Sequence, residues 1–99
     1  MEIVNSGMRV IITVKIDVPL DNIHLKIIDI FRKFPSKGLR AHQLRDHLEY
    51  EGFQMGYGNL RSHLLYLSLV GILNREKGSH YDRYYLREEF QNQQLQVIS

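Results

Sequence analysis

The sequence predicts a small α+β domain in which three helices are followed by a β-hairpin, with an extra strand on the N-terminal side. Alternating apolar residues fill positions 8–18, helical apolar periodicity recurs three times over residues 21–71, and a glycine-bearing hairpin pattern spans residues 72–87. The chain has 99 residues, 43% hydrophobic and 24% charged, which is the size and composition of one globular domain. We therefore expect a single domain over residues 1–99, with residues 88–99 as a tail.

The N-terminal strand is predicted from its alternation and its many β-branched residues. Every second position of residues 8–18 is apolar, Ile11 adds an apolar residue to the other face, and Pro19 ends the strand. Because an unpaired strand of this kind invites edge-to-edge aggregation, we expect it to have a partner. That partner is the tail at residues 95–98 or the hairpin of the same chain, or the same strand of a second subunit. The last arrangement gives a two-fold dimer, and we predict a homodimer.

Two amphipathic helices follow this strand. Asp21 is placed as an N-cap, and apolar residues at helical spacing continue to about residue 34. Pro35 ends this first helix, because proline disfavours helical geometry in the residue before it. The second helix is predicted over about residues 41–51. Gly52 supplies the left-handed position that closes it in a Schellman motif.

The third helix is predicted from a start between Gly56 and Asn59 to about Val70, with its end at Gly71. Its inner stripe consists of Leu60, Leu64 and Leu67. The polar positions that lie mostly opposite this stripe are Gly58, Asn59, Arg61, Ser62 and Tyr66. Nearly every residue of 64–72 is apolar, so we expect the second half of the helix to be buried and the first half to be partly exposed.

Residues 72–87 are predicted to form a hairpin with a basic, polar tip. The succession of three helices and a hairpin over residues 21–87 resembles the winged helix-turn-helix family of small transcriptional regulators. Residues 60–75, LRSHLLYLSLVGILNR, are similar to the third helix of that family and its entry into the wing. The resemblance covers about two-thirds of the chain and implies a three-helix core with a hairpin wing. The turn at residues 52–57 is longer than in a strict helix-turn-helix, and the motif is a packing pattern that specifies fold better than function.

Basic charge is concentrated in the same region. The formal net charge of the chain is only +2, but residues 32–87 carry ten basic and five acidic residues, whereas both flanks are net acidic. A single surface charge is usually just solvated, so the argument depends on the cluster and its place on the third helix and the wing.

The resemblance and this charge distribution together predict a surface that binds double-stranded DNA, with the first half of the third helix in the major groove. The expected contacts of this helix are Tyr57, Asn59, Arg61, Ser62, His63 and Tyr66. The wing is expected to reach flanking DNA through Lys77, Ser79, His80 and Arg83. The expected phosphate contacts are Lys37, Arg40 and Arg45. We therefore predict that the protein is a sequence-specific transcriptional regulator. The alternative is a winged-helix module that grips a protein partner within a larger assembly, and RNA binding through the same surface stays open.

Other classes of function have little support in the sequence. The chain has no cysteine, which excludes a disulfide framework and a thiolate zinc site, and none of its five histidines is paired at the i, i+4 spacing of a helical metal site. No carboxylate pair, catalytic base or phosphate-binding glycine loop is placed for catalysis. We therefore expect no metal, no cofactor, no membrane span and no enzymatic activity, and a cytoplasmic location. We expect the tyrosines at 81, 84 and 85 to pack in the wing and core rather than to stack on bases.

Overall fold

The computed structural model of the protein describes residues 14–16, 18–91 and 95–97, and its elements follow the predicted order with one additional strand. The helices are α1 (Asn22–Phe31), α2 (Ala41–Tyr50) and α3 (Tyr57–Leu69), with a short 3₁₀ helix at Glu88–Phe90. The strands are β1 (Val14–Ile16), β2 (Leu39–Arg40), β3 (Leu73–Glu76), β4 (Arg83–Leu86) and β5 (Leu95–Val97). This part of the chain is a small compact α+β domain whose three helices pack with a three-stranded antiparallel sheet.

The predicted Schellman motif closes α2. Gly52 adopts a φ of 92°, and the N–H of Phe53 donates to the carbonyl oxygen of Leu48 at 2.8 Å. The same geometry closes α3, where the N–H of Ile72 donates to the carbonyl oxygen of Leu67 at 2.9 Å. Both helices therefore end where the glycines in the sequence indicate.

The first helix is shorter than predicted. It begins after Asp21, as expected, but it ends at Phe31 rather than near residue 34. The N–H of Phe34 bonds to the carbonyl oxygen of Phe31, three residues back, at 2.9 Å. The chain therefore tightens into turns ahead of Pro35, because the geometry that proline imposes on the preceding residue is incompatible with a continuing helix.

The additional strand is β2, between α1 and α2, where the sequence pattern predicts only a turn. It pairs antiparallel with β4, with Leu39 opposite Tyr84 and Arg40 opposite Arg83, so that β4 is the central strand of the order β2-β4-β3. The approach depends on Gly38, which is buried with a φ of 65°. A Cβ atom at this position would overlap the carbonyl oxygen of Tyr84 and lie 2.7 Å from a ring carbon of Tyr85.

The predicted hairpin is present as β3 and β4. Leu73 lies opposite Leu86 at its base, and Glu76 lies opposite Arg83 next to the tip. The side chains of Leu73, Tyr84 and Leu86 are buried, so one face of the hairpin closes the core while its tip projects into solvent.

The N-terminal strand has a partner within the chain. β1 pairs with β5 in parallel, with Val14 opposite Leu95, so its partner is the tail, one of the three expected from the sequence. The strand prediction over residues 8–18 was too long at its C-terminal end, since Val18 lies in a bend, and its positions 8–13 and 17 lie outside the described residues. The start of the tail is held in place: Phe90 is buried, and Nε2 of Gln91 donates to the carbonyl oxygen of Leu86 at 2.9 Å.

The core lies between the three helices and the inner face of the sheet. Its buried apolar side chains are Ile27, Ile28, Ile30, Phe31, Leu39, Leu44, Leu48, Leu60, Leu64, Leu67, Ile72, Leu73, Tyr84, Leu86 and Phe90. The expectation that the whole second half of α3 is buried is wrong at two positions, since Leu65 is 41% exposed and Leu69 is 85% exposed. None of the described helices is long and apolar enough to cross a lipid bilayer.

We predict that Gly38→Ala lowers the free energy of unfolding by about 2–5 kcal/mol. The left-handed conformation costs a residue with a Cβ atom about 1–2 kcal/mol, and forcing β4 away costs about 1–3 kcal/mol more. Urea unfolding followed by circular dichroism measures the change. Gly58→Ala is the matched control, because a Cβ atom there meets nothing within 4 Å and alanine favours the helix by about 0.5–1 kcal/mol. Equal midpoints for the two variants would contradict the close approach of β2 and β4.

Candidate nucleic-acid interface

The N-terminal half of α3 presents an exposed polar face. Burial of Leu60, Leu64 and Leu67 fixes the rotation of the helix about its axis, which leaves Asn59 and Arg61 in solvent. Gly58 and Ser62 are exposed on the same half of the helix. Within the described part of the chain, the side chains of Asn59 and Arg61 have no hydrogen-bond or ion-pair partner, so both are available to a ligand.

The structure places His63 and Tyr66, the other two residues expected to contact DNA from α3, against α1. Nδ1 of His63 lies 3.0 Å from Nε2 of His24, and the hydroxyl group of Tyr66 donates to the carbonyl oxygen of Pro19 at 2.8 Å. Both side chains are half-buried. They therefore join α3 to α1 and are separate from the exposed face of Asn59 and Arg61.

Two exposed tyrosines lie beside this face, and the guanidinium group of an arginine packs on the ring of each. The guanidinium carbon of Arg45 lies 5.3 Å from the ring centroid of Tyr57, and that of Arg40 lies 5.6 Å from the ring centroid of Tyr81. Both distances fall within the range of cation–π attraction. The pairs orient two guanidinium groups from the start and middle of α2 while leaving them at the surface.

A cleft of about 260 Å³ separates the start of α3 from the wing. Tyr57 and Arg61 line its helix side, and His80, Tyr81 and Asp82 line its wing side. Apart from the carboxylate of Asp82, which pairs with Arg75, the cleft combines the rings of three tyrosines, a guanidinium group and an imidazole. These are groups that hydrogen-bond to phosphate oxygens and base edges and stack on planar rings.

The residues predicted on the wing divide into two groups. Lys77, Ser79 and His80 are exposed at the tip, as a DNA contact requires. Arg83 is half-buried, and its Nη1 donates to the carbonyl oxygen of Lys37 at 3.0 Å. Arg83 therefore stabilises the turn that leads into β2 and is not available at the tip.

Lys37 itself is exposed but lies apart from the cleft beside α3. Together with Arg83 it lines a second groove of about 290 Å³, whose other wall includes Gln43 and His47 of α2. Among the three expected phosphate contacts, the structure thus brings Arg40 and Arg45 next to the polar face of α3 and leaves Lys37 in this second groove.

Tyr81 is a candidate contact that the sequence analysis missed. It is 58% exposed, so its ring does not join the core, whereas Tyr84 is buried as expected. The signal in the sequence is the position of Tyr81 between His80 and Asp82 in a glycine-bearing tip, where there is no core for an aromatic ring to join.

Several charges of the region are committed to intramolecular pairs. Nζ of Lys26 lies 2.6 Å from Oε1 of Glu51, and this hydrogen bond raises the pKa of Lys26 and lowers that of Glu51. The hydroxyl group of Tyr85 donates to Oε1 of Glu76 at 2.9 Å across the hairpin, which raises the pKa of Tyr85. Further ion pairs join Lys33 to Glu51, Arg75 to Asp82 and Arg87 to Glu89.

Metal-binding geometry is lacking in residues 18–91. No group of three or more histidine, cysteine, aspartate or glutamate side chains is close enough there to hold an ion. His24 and His63 form a pair, but Nδ1 of His24 accepts a hydrogen bond from the backbone N–H of Asp21 at 3.0 Å. A metal on Nε2 would place the ring proton on Nδ1, facing that N–H, so the arrangement opposes ligation.

Comparison of the chain with known protein families, with curated proteins and with solved structures gives no match.

Proposed function

We propose that the protein is a winged helix-turn-helix domain that binds double-stranded DNA sequence-specifically and regulates transcription in the cytoplasm. α3 enters the major groove, and the tip between β3 and β4 rests on flanking DNA. The observation that carries this proposal is the division of α3 into a fully buried leucine stripe and an exposed polar face at its N-terminal half. A helix reads base edges only if its leading face is free of packing duties.

The chemistry of the exposed face supports base contacts. Arg61 has the two parallel donors that suit guanine, and Asn59 has the donor and acceptor that suit adenine. Arg40 and Arg45, held against Tyr81 and Tyr57, are the groups that we expect to contact phosphates beside the groove. The exposed Lys77 and His80 supply the contact of the wing.

The competing proposal, a protein-interaction module, is supported by a different part of α3. Leu65 and Leu69 are one helical turn apart and both exposed, which forms an apolar strip on the C-terminal half of the helix. Exposed apolar patches are typical of protein contacts. The strip is distinct from Asn59 and Arg61, so substitutions separate the two functions: Leu65→Ser with Leu69→Ser removes the strip and leaves the polar face intact.

We predict that Arg61→Ala weakens binding to the target DNA by about 5–150-fold, which corresponds to the loss of about 1–3 kcal/mol of base contact. Mobility-shift titration against DNA from around the protein's own gene measures the effect. Arg87→Ala is the matched control: it removes the same charge, but Arg87 lies at the base of the hairpin, away from the tip, and is paired with Glu89. Equal affinities for the two variants would place the reading face elsewhere.

Salt dependence supplies a second test. Raising the salt concentration from 50 to 200 mM is expected to reduce affinity steeply, by about 10³-fold if roughly six phosphates are contacted. At either salt concentration a specific regulator prefers its target to random duplex DNA of equal length by about 10³-fold or more. Salt-sensitive binding without that preference, or tighter binding to duplex RNA, contradicts the proposal.

A homodimer remains our expectation for DNA binding, because two-fold dimers read palindromic sites. We predict that light scattering at micromolar concentration gives twice the mass of one chain. Val14–Ile16 pair with β5 of the same chain, so this part of the N-terminal strand does not need a second subunit as its partner. A monomeric mass for the unmodified protein would rule out the dimer.

A further inference from the structure

His24 is the only buried polar side chain among the described residues, with 7% of its surface exposed. It forms the middle of a chain of hydrogen bonds. The backbone N–H of Asp21 lies 3.0 Å from Nδ1 of His24, and Nε2 of His24 lies 3.0 Å from Nδ1 of His63. The chain of bonds thus runs from the start of α1 to the middle of α3.

These contacts fix where the ring protons lie. A backbone N–H only donates, so Nδ1 of His24 must accept, and the neutral ring of His24 carries its proton on Nε2. That proton is then donated to Nδ1 of His63, which places the proton of His63 on its outer nitrogen, Nε2. All of these bonds form together only when both imidazoles are neutral.

Protonation of either ring breaks the chain of bonds. A charged His24 carries a second proton on Nδ1, which faces the N–H of Asp21 and cannot bond to it. A charged His63 carries a proton on Nδ1, so Nε2 of His24 must accept a hydrogen bond from it. The single ring proton of the neutral His24 then lies on Nδ1, where it again faces the N–H of Asp21. No protonated state preserves both hydrogen bonds.

The surroundings of the pair favour the neutral state. The ring of Tyr66 on α3 packs on His24 with a centroid separation of 5.1 Å, and the hydroxyl group of Tyr66 holds the carbonyl oxygen of Pro19. Burial is the main cause that lowers the pKa of His24, and His63 lowers it further, while the carboxylate of Asp21 acts in the opposite direction. These are the titratable groups that face the ring from α1 and α3.

The geometry points to an acid-operated latch in which protonation of the His24–His63 pair breaks the hydrogen bond between the N–H of Asp21 and His24 and so frees the N-cap segment of α1. The latch is closed at neutral pH. It opens as the pH falls below the ordinary histidine value of about 6.5 towards the lower value of His24 in the folded state. His63, one member of the pair, lies on α3, which also carries Asn59 and Arg61, but the operation of the latch does not depend on DNA binding.

The sign of the effect follows from proton linkage. Because the pKa of His24 is lower in the folded state, the unfolded state binds the extra proton first. The stabilisation is therefore present above about pH 6.5 and is lost as the pH falls, with the unfolding equilibrium constant rising at most about tenfold per pH unit for one proton.

His24→Gln tests the latch. Glutamine at the third position of a helix accepts a hydrogen bond from the N-cap N–H, and its amide group still donates to His63, but it does not titrate. Urea unfolding at pH 7.5, 6.5 and 5.5 is expected to show a rise in the unfolding constant between pH 6.5 and 5.5 that is several-fold larger in the unmodified protein than in the variant. His42→Gln, at an exposed position on α2, is the matched control and is expected to retain the pH profile of the unmodified protein.

A direct measurement on the unmodified protein keeps the test decisive if the variant is unstable. Nitrogen-15 chemical shifts of the histidine rings report the tautomers, and we expect protons on Nε2 of both His24 and His63 at pH 7.5. Lowering the pH is expected to shift the amide signals of Asp21 and its neighbours together with the titration of His24. A proton on Nδ1 of His24 at neutral pH, or identical pH profiles for the His24→Gln variant and the unmodified protein, overturns the latch.

Discussion

Three leucines along one stripe of α3, Leu60, Leu64 and Leu67, are completely buried in the core that α3 shares with α2 and β3. Burial of each side chain stabilises the fold by about 1.5–3 kcal/mol, because it removes apolar surface from water. Rotation of the helix about its axis would expose these side chains, so the helix is held in one orientation. The exposed positions of Asn59 and Arg61 follow from this constraint. The core therefore determines which side chains of α3 face solvent. The polar side chains on that exposed side are available to a ligand because they have no partner within the described part of the chain.

Several of the basic residues that the sequence places over residues 32–87 are paired within the chain. The excess over residues 32–87 suggests a broad positive surface, yet in the structure Lys33, Arg75 and Arg87 contact carboxylates and Arg83 binds a backbone carbonyl group. Exposed pairs of this kind contribute little to stability, but they lower the local potential. The basic side chains outside these pairs include Arg40, Arg45 and Arg61 beside the start of α3 and Lys77 at the tip of the wing, whereas Lys37 lies in the second groove.

Local signals in the sequence predicted most of the fold, whereas the errors arose at contacts between distant segments. Asp21, Gly52 and the hairpin were predictable because caps and turns depend on neighbouring residues. The two-residue strand β2 is too short for any periodicity, and it exists because β4 approaches Gly38. The pairing of His24 with His63, 39 residues apart, has no local signature apart from a histidine at the third position of a capped helix. In the candidate site, the exposed positions of Asn59 and Arg61 were predictable from the helical wheel, whereas the long-range contacts of His63 and Tyr66 were not.

The pairing of β2 with β4 also affects when the chain can fold during its synthesis. Gly38 and Arg83, in contact through a hydrogen bond, are 45 residues apart, and the core is closed last by Phe90. A chain synthesised from its N-terminus therefore has the apolar faces of its three helices only partly covered until the hairpin and the residues just after it have emerged. Folding is delayed until nearly the whole domain is available, and a product truncated before β4 would expose its apolar helix faces to chaperones and proteases.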